Sequence, residues 1–466
     1  MKYLSRYLVI ALFALLQISC YKDDTTQDTR VLSEVGVVFS EIKDPIVNMD
    51  KNQVLTVDPV ITQTEKEKEL KYQWEVNYQV FSTEKKLVYP CSKLGTFLVR
   101  LKVSNADGSM FKSFNLNVNS AYEEGLMVLA EDADGEGTLA FMRKYTDSEI
   151  ASGKVESFVN NCFTLNNPGL KLGKNPTDIA KRQQQVYISS KGEKKIYLIN
   201  NKTFELEASV SAPDLPGFRP LKVNVPDNLG RSAVILCEQG LIYNLAVLEY
   251  LVSPDVKFPT GVMEKTAMGF DFNDTYNYWW NSTTSKIHMV SAYGTSDSKT
   301  EFAGKNMVQF FYADAPVVAD VGFYVITNTA ANPSIYTKTV FNKNLSTIKE
   351  TTTLTGGISS TLNSSSIIEV NTTYKKLLYA NGNKVYSWFY TGTDSPTAPF
   401  ITVDAGVVTS MSQTTDGKIL YVGVYNVAAP GLKGSVYVYN MDTGILIKKH
   451  EGVTDKPVKL FYKKKN

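Results

Sequence analysis

The feature that most constrains this chain is a loose internal repeat in its longer, C-terminal part. Three stretches show it: "QVYISSKGEKKIYLINNKTFELEASV" (185–210), "KKLLYANGNKVYSWFYTG" (375–392) and "GKILYVGVYNVAAPGLKGSVYVYNMDTGILIKKH" (417–450). Each has an apolar strand, a turn rich in Gly and Asn, a second strand ending near a Tyr, and a polar turn. Two of them go on to a third strand. In the last stretch "NMDTG" (440–444) reads as the turn between the third and fourth strands of one unit. Such self-similarity is sought before any other organisation, because it decides the fold. The composition agrees with strands: 27 Tyr and 22 Phe stand among dense Ser, Thr, Val and Asn, with Gly and Pro at short intervals.

Four short antiparallel strands recurring every ~40–50 residues make the blade of a β-propeller. The region 121–466 has room for seven such blades, with six and eight as the alternatives. Its two ends suit closure into a ring. "KPVKLFYKKK" (456–465) reads as the opening strand of a blade that goes no further, and "GLMVLAEDADGEGTLAFMR" (125–143) as strands lacking that first partner. Joining them removes the sheet edges that would otherwise template aggregation.

Residues 35–120 form a different unit. "LKYQWEV" (70–76) alternates around Trp74, and "GTFLVRLKVSNADGSMFKSFNLNV" (95–118) is two strands about a turn at Asn105–Gly108. A period of two puts Phe97, Val99, Leu101 and Val103 on one face. Phe114, Leu116 and Val118 lie on the return strand, with Phe111 close to the turn. The Asp-Gly step between alternating strands is a strong hairpin signal. The run from Gly95-Thr96-Phe97 through Asn105 and Gly108 resembles the closing motif of the PKD (polycystic kidney disease) family, an immunoglobulin-like β-sandwich, with Trp74 in the place of that family's Trp. The rest of the family's "WDFGDG" motif is missing. The fold class expected for the chain is therefore all-β: an Ig-like (PKD) β-sandwich followed by a seven-bladed β-propeller.

The first 34 residues read as an address. Lys2 and Arg6 precede the apolar run Tyr7–Leu16, which is shorter than the ~20 residues a bilayer span needs and has the layout of an export signal. Ser19-Cys20 then resembles the lipobox of bacterial lipoproteins, although Gln17 stands where Leu is usual. That resemblance implies that residues 1–19 are removed and that Cys20 carries lipid, whose buried methylenes contribute ~0.8 kcal/mol each. Lys22, Asp23 and Asp24 resemble the acidic surface-export tag of Bacteroidetes lipoproteins. Residues 20–34 are read as a lipidated Cys with a flexible tether, about 20 Å long on average by random-coil scaling. The order of parts resembles the PKD-like family of Bacteroidetes surface lipoproteins. Proteins of that kind accompany SusC/SusD-type outer-membrane importers of peptides or glycans. The resemblance thus implies an outer-membrane location facing outward, importer proteins as partners, and a peptide or glycan as ligand.

Charge and motifs narrow the chemistry. The chain has 49 basic and 47 acidic residues; without Lys2 and Arg6 the two balance, which does not favour a nucleic-acid partner. Besides Cys20 there are Cys91, Cys162 and Cys237, without metal-ligand spacing; a disulfide between two of them and three free buried thiols are both compatible with the sequence. Only His288 and His450 are present, neither in a setting that suggests a triad. There is no G-x-S-x-G, no H-E-x-x-H and no phosphate-binding loop. Asp132, Asp134 and Glu136 alternate like the opening of a calcium loop, but Gly137 and Arg143 stand at the sixth and twelfth positions. A hairpin turn is the stronger reading there, and no metal or other cofactor is expected. Aromatic clusters are the candidate ligand site: Tyr276, Tyr278, Trp279 and Trp280 in "DTYNYWWNSTT" (274–284), and Trp388 in "YSWFY" (386–390). Adjacent Trp279 and Trp280 point to opposite faces of a strand, so one can pack while the other meets a ligand; inter-blade packing is the competing role. The expected function is non-catalytic: an accessory or ligand-binding lipoprotein of a SusC/SusD-type uptake system. A propeller glycan hydrolase or lyase, and a purely structural importer subunit, are the alternatives.

Overall fold

A computed structural model describes residues 32–225, 232–253, 261–271, 274–291, 294–299, 301–343 and 345–465. The export segment, Cys20, Lys22, Asp23 and Asp24 lie outside the described residues. The chain divides into two compact units, one ending at Asn119 and the other beginning at Ser120.

In the first unit a five-stranded sheet carries the long hairpin Gly95–Ser104 and Ser109–Asn119 at its centre. Asn105 Oδ1 closes that hairpin by accepting from the N–H of Asp107 (2.9 Å) and of Gly108 (3.1 Å). Two strand pairs, Val35–Val38 with Val60–Gln63 and Val54–Val57 with Leu87–Pro90, supply the other layer. Val99, Leu101 and Val103 face one core with Phe114, Leu116 and Val118, whereas Phe111 by the turn is exposed. Trp74 is the anchor: its ring stacks on Phe39 at 5.6 Å and its Nε1 donates to Lys85 O at 3.1 Å.

The second unit contains, among the described residues, seven four-stranded antiparallel sheets, the blades of a β-propeller. They are numbered here from the strand Gly125–Glu131. Innermost in blades 2 to 7 are Pro176–Arg182, Pro220–Asn224, Met263–Asp271, Lys305–Ala313, Ile367–Asn371 and Val407–Gln413. Blade 1 borrows its innermost strand from the far end of the chain, Lys456–Lys463, which pairs antiparallel with Gly125–Glu131. The expected closure is thus observed, and "NMDTG" does turn between the third and fourth strands of blade 7.

The middle strands are buried on both faces because each blade is covered by two others, and the period of two sends alternate side chains to opposite neighbours. Met127 and Leu129 join the core between blades 1 and 2, while Leu126 and Val128 join the core between blades 7 and 1. Each of the seven inter-blade junctions holds one such cluster.

Blade 7 is shaped to receive the closing strand. A Cβ on Gly423 would lie 2.6 Å from Leu460, and one on Gly434 would lie 2.6 Å from Pro457. The inner edge of that strand also presents N–H groups that must be satisfied. Ser410 Oγ accepts from Leu460 N and Ser412 Oγ from Tyr462 N, both at 2.9 Å. Two serines therefore latch the ring where its ends meet.

Candidate functional site

The innermost strands share a device. In six of the seven blades one extra residue interrupts the pairing with the second strand: Thr177, Leu221, Glu264, Val308, Thr409 and Val458. Blade 6 has none. Such a bulge bends the strand and re-aims the side chain beside it. The residue that follows is polar every time: Asp178, Lys222, Lys265, Gln309, Ser410 and Lys459. Blade 6 places Glu369 on its innermost strand. The ring's centre is therefore polar, while the junctions between blades are apolar.

These groups divide the centre into two parts. Toward blades 4 to 6, Lys265 Nζ donates to Ser364 O (2.5 Å) and Gln309 Nε2 to Asn363 O (2.9 Å) and Ser366 O (3.1 Å). The segment leading into blade 6 is thus tied down over blade 5. Toward blades 1, 2, 3, 6 and 7 a cavity of 540 Å³ remains, within the size range of small-molecule sites. Residues at the downstream ends of innermost strands line it, among them Lys181, Val225, Thr373, Thr415 and Lys464. Asp178, Lys222, Gln413 and Lys459, earlier on the same strands, line it too.

Its electrostatics are asymmetric: four lysines line the cavity against one carboxylate, Asp178. Lys459 Nζ reaches Asp178 Oδ1 at 3.6 Å. Burial pulls the Lys222 ammonium below the usual lysine range; Asp178 opposes this and Lys459 reinforces it. Burial pushes the Glu369 carboxyl up to about 7, against the opposing effects of Lys459 and a hydrogen bond with Gln413. Gln413 is itself fixed, donating to Val370 O and accepting from Asn371 Nδ2, each at 2.7 Å.

The aromatic residues singled out in the sequence take the competing role. Trp279 is 0 % exposed in the core between blades 3 and 4; Tyr278 and Trp280 are buried between blades 4 and 5, and Trp388 between blades 5 and 6. Trp279 and Trp280 do point to opposite faces, but in a propeller both faces of a middle strand meet another blade. No face of these rings is left for a ligand, so the aromatic-site expectation gives way to packing. Tyr276 pairs with Gly269 in its blade, and its side chain lies outside the described residues.

Asp132, Asp134 and Glu136 form a turn. Asp132 Oδ1 accepts from the N–H of Asp134 (2.9 Å) and of Glu136 (2.8 Å). Among the described residues no group of three or more His, Cys, Asp or Glu side chains is arranged to hold a metal. Cys91, Cys162 and Cys237 are free and buried. His288 is buried in blade 4, and His450 packs at 5.3 Å against the edge of Phe158. The axial polar residues escaped the sequence reading, although a signal was present: Pro176-Thr-Asp178, Pro220-Leu-Lys222 and Pro457-Val-Lys459 repeat one Pro-x-charged pattern.

No protein-family model matches the chain, and no curated protein matches it. Solved structures do. A quinoprotein alcohol dehydrogenase-like protein from Bacteroides thetaiotaomicron aligns with 92% of this chain and 99% of its own, at 14% identity and a TM-score of 0.52. The dihydro-heme d1 dehydrogenase NirN aligns with 78% of this chain and 72% of its own, at 10% identity and a TM-score of 0.41. The β-propeller domain of Cps50 (Swd1) from Myceliophthora thermophila aligns with 61% of this chain and 89% of its own, at 9% identity and a TM-score of 0.41. The first likeness shows the fold alone, an all-β propeller.

Proposed function

We propose that this protein is a lipid-anchored cell-surface binding protein whose propeller captures a small nutrient in the axial cavity and holds it beside an outer-membrane importer of the SusC/SusD type. The observation that carries the reading is the cavity itself: five blades contribute residues to it, and charged groups stand in its lining. The Ser19-Cys20 step and the charged residues Lys22, Asp23 and Asp24 support the anchor and the outward location. The first unit, with its Trp74-centred core and long closing hairpin, acts in this reading as a PKD-like spacer between the tether and the ring.

The test is isolation from outer membranes in mild detergent, with identification of bound proteins and of any small molecule released on denaturation. Importer proteins in fixed ratio, together with a released nutrient, support the reading. Importer proteins with an empty cavity favour a scaffold subunit. A protein that purifies alone, unlipidated at Cys20, defeats it.

One observation favours an enzyme as the second reading. Burial pushes the Glu369 carboxyl up to about 7, the range that suits a general acid for glycan cleavage. Turnover of a polysaccharide by the purified protein, lost in Glu369→Gln, would establish it. A screen of alcohols with an artificial electron acceptor tests the activity suggested by the Bacteroides protein's description.

A further inference from the structure

Resting on the axial cavity as the ligand site, we infer that the ligand carries a carboxylate and that this group docks against Lys222 in the cavity's lining.

Asp178 is the one carboxylate in the lining, and Lys459 already lies 3.6 Å from it. Among the described residues no hydrogen bond or ion pair ends on the Lys222 ammonium. Its electrostatic partners are Asp178, shared with Lys459, and Lys459 itself, which repels it. A half-buried ammonium that shares its counter-charge is costly unless something else completes it. The axial lysine of blade 4 shows what completion looks like: Lys265 donates to Ser364 O at 2.5 Å. Lys222 has no such carbonyl and faces open cavity instead. Lys181 and Lys464 line the same space.

The rest of the lining selects among anions. No arginine contributes to it, so the planar fork that grips phosphate in two-point fashion is missing, and the cations act as point charges. Thr372, Thr373, Thr415 and Gln413 offer hydroxyl and amide groups suited to sugar hydroxyls or peptide amides. A single carboxylate on a polar body fits this arrangement. Two sources supply that chemistry: a uronate unit of an acidic glycan, and the free C-terminus of a short peptide.

The experiment is calorimetric titration of the full-length protein in detergent with four probes. These are tri-galacturonate, its carboxyl-reduced neutral form, tri-alanine, and tri-alanine amide. The expected result is binding of one acid with at least tenfold loss for its neutral partner, which also identifies the source. Lys222→Gln should cost the acid at least tenfold and leave the neutral form unchanged, with a urea midpoint no lower than that of the parent. Equal binding of acid and neutral forms, indifference to Lys222→Gln, or preference for inorganic phosphate or sulfate would overturn the assignment. Silence from all four probes overturns it too.

A plug variant, Thr415→Trp, separates this failure from failure of the site. If the plug blocks a neutral ligand, the cavity stands and the carboxylate falls. If a ligand binds and the plug is without effect, the cavity falls with it.

Discussion

Truncating Trp388 to Ala tests whether the aromatic clusters of this chain serve packing or binding. The indole is 1 % exposed between blades 5 and 6, among Leu377, Tyr324, Tyr379 and Tyr390. The Lys338 ammonium lies 6.0 Å from its ring centre. Its Nε1 has no hydrogen-bond partner among the described residues, so truncation removes apolar contact and a cation–π contribution without orphaning an acceptor. Buried Trp to Ala changes cost about 3–5 kcal/mol, most of it the cavity left behind. With a urea dependence of about 3 kcal/mol per M, suited to a large unit, the midpoint should fall by about 1–1.7 M. Far-UV circular dichroism and tryptophan fluorescence would follow the ring, in a Trp74→Phe background so that only its own tryptophans report. Ligand affinity, measured well below the transition, should stay within about twofold, since the indole lies in an inter-blade core and is not among the residues lining the cavity. Lost affinity with an unmoved midpoint would refute the reasoning and restore the aromatic site.

Three further outcomes follow from contacts already described. Ser410→Ala and Ser412→Ala each leave a closing-strand N–H unpaired and should cost about 1–3 kcal/mol; hydrogen exchange at Leu460 and Tyr462 should quicken while the first unit is unaffected. Lys338 is 0 % exposed and donates to Tyr390 O (3.2 Å) and Gly392 O (3.0 Å) of the next blade, so Lys338→Met, which keeps the stem, should still lower stability by about 2 kcal/mol in urea titrations. Glu369 keeps its proton in the folded state up to about pH 7 but gives it up near 4.5 when unfolded. Its favourable contribution is thus full below the unfolded value and is lost as pH rises to about 7, so Glu369→Gln should gain on the parent between pH 5 and 8 in paired urea midpoints.

Much of the fold was legible because strand period and turn chemistry act locally. The alternation in "GTFLVRLKVS" placed Val99, Leu101 and Val103 in a core without knowledge of what faced them. "NMDTG" marked a turn through Asn440, whose Oδ1 accepts from the N–H of Asp442 and of Thr443. Closure was legible because a lone strand and a blade lacking one stood at opposite ends. The site was not legible, for two physical reasons. A tryptophan on a middle blade strand looks the same in sequence whether the face it meets is another blade or open solvent. The axial residues come from innermost strands far apart in sequence and converge only once the ring closes. Lys222 and Lys459 are separated by more than half of the chain, and no local pattern links them beyond the shared Pro-x-charged step.

That step explains why the centre can carry function. Innermost strands of a seven-bladed ring leave a space along the axis, which stays wet and must be lined by groups that tolerate water. The bulge before Asp178, Lys222, Lys265, Gln309, Ser410 and Lys459 turns a polar side chain there six times over. What each does afterwards differs. Lys265 is consumed by structure, holding Ser364 O, and Lys459 lies beside Asp178. Lys222 is left over. Removing each charge while keeping its stem should therefore separate the two roles. Lys265→Met removes the hydrogen bonds to Ser364 O and Gln309 Oε1 and should lower stability by about 0.5–1.5 kcal/mol. Lys222→Met removes a half-buried ammonium that shares its counter-charge and should leave stability unchanged or raise it. If Lys222→Met destabilises the ring as much as Lys265→Met, Lys222 belongs to the scaffold, and its charge has a structural purpose.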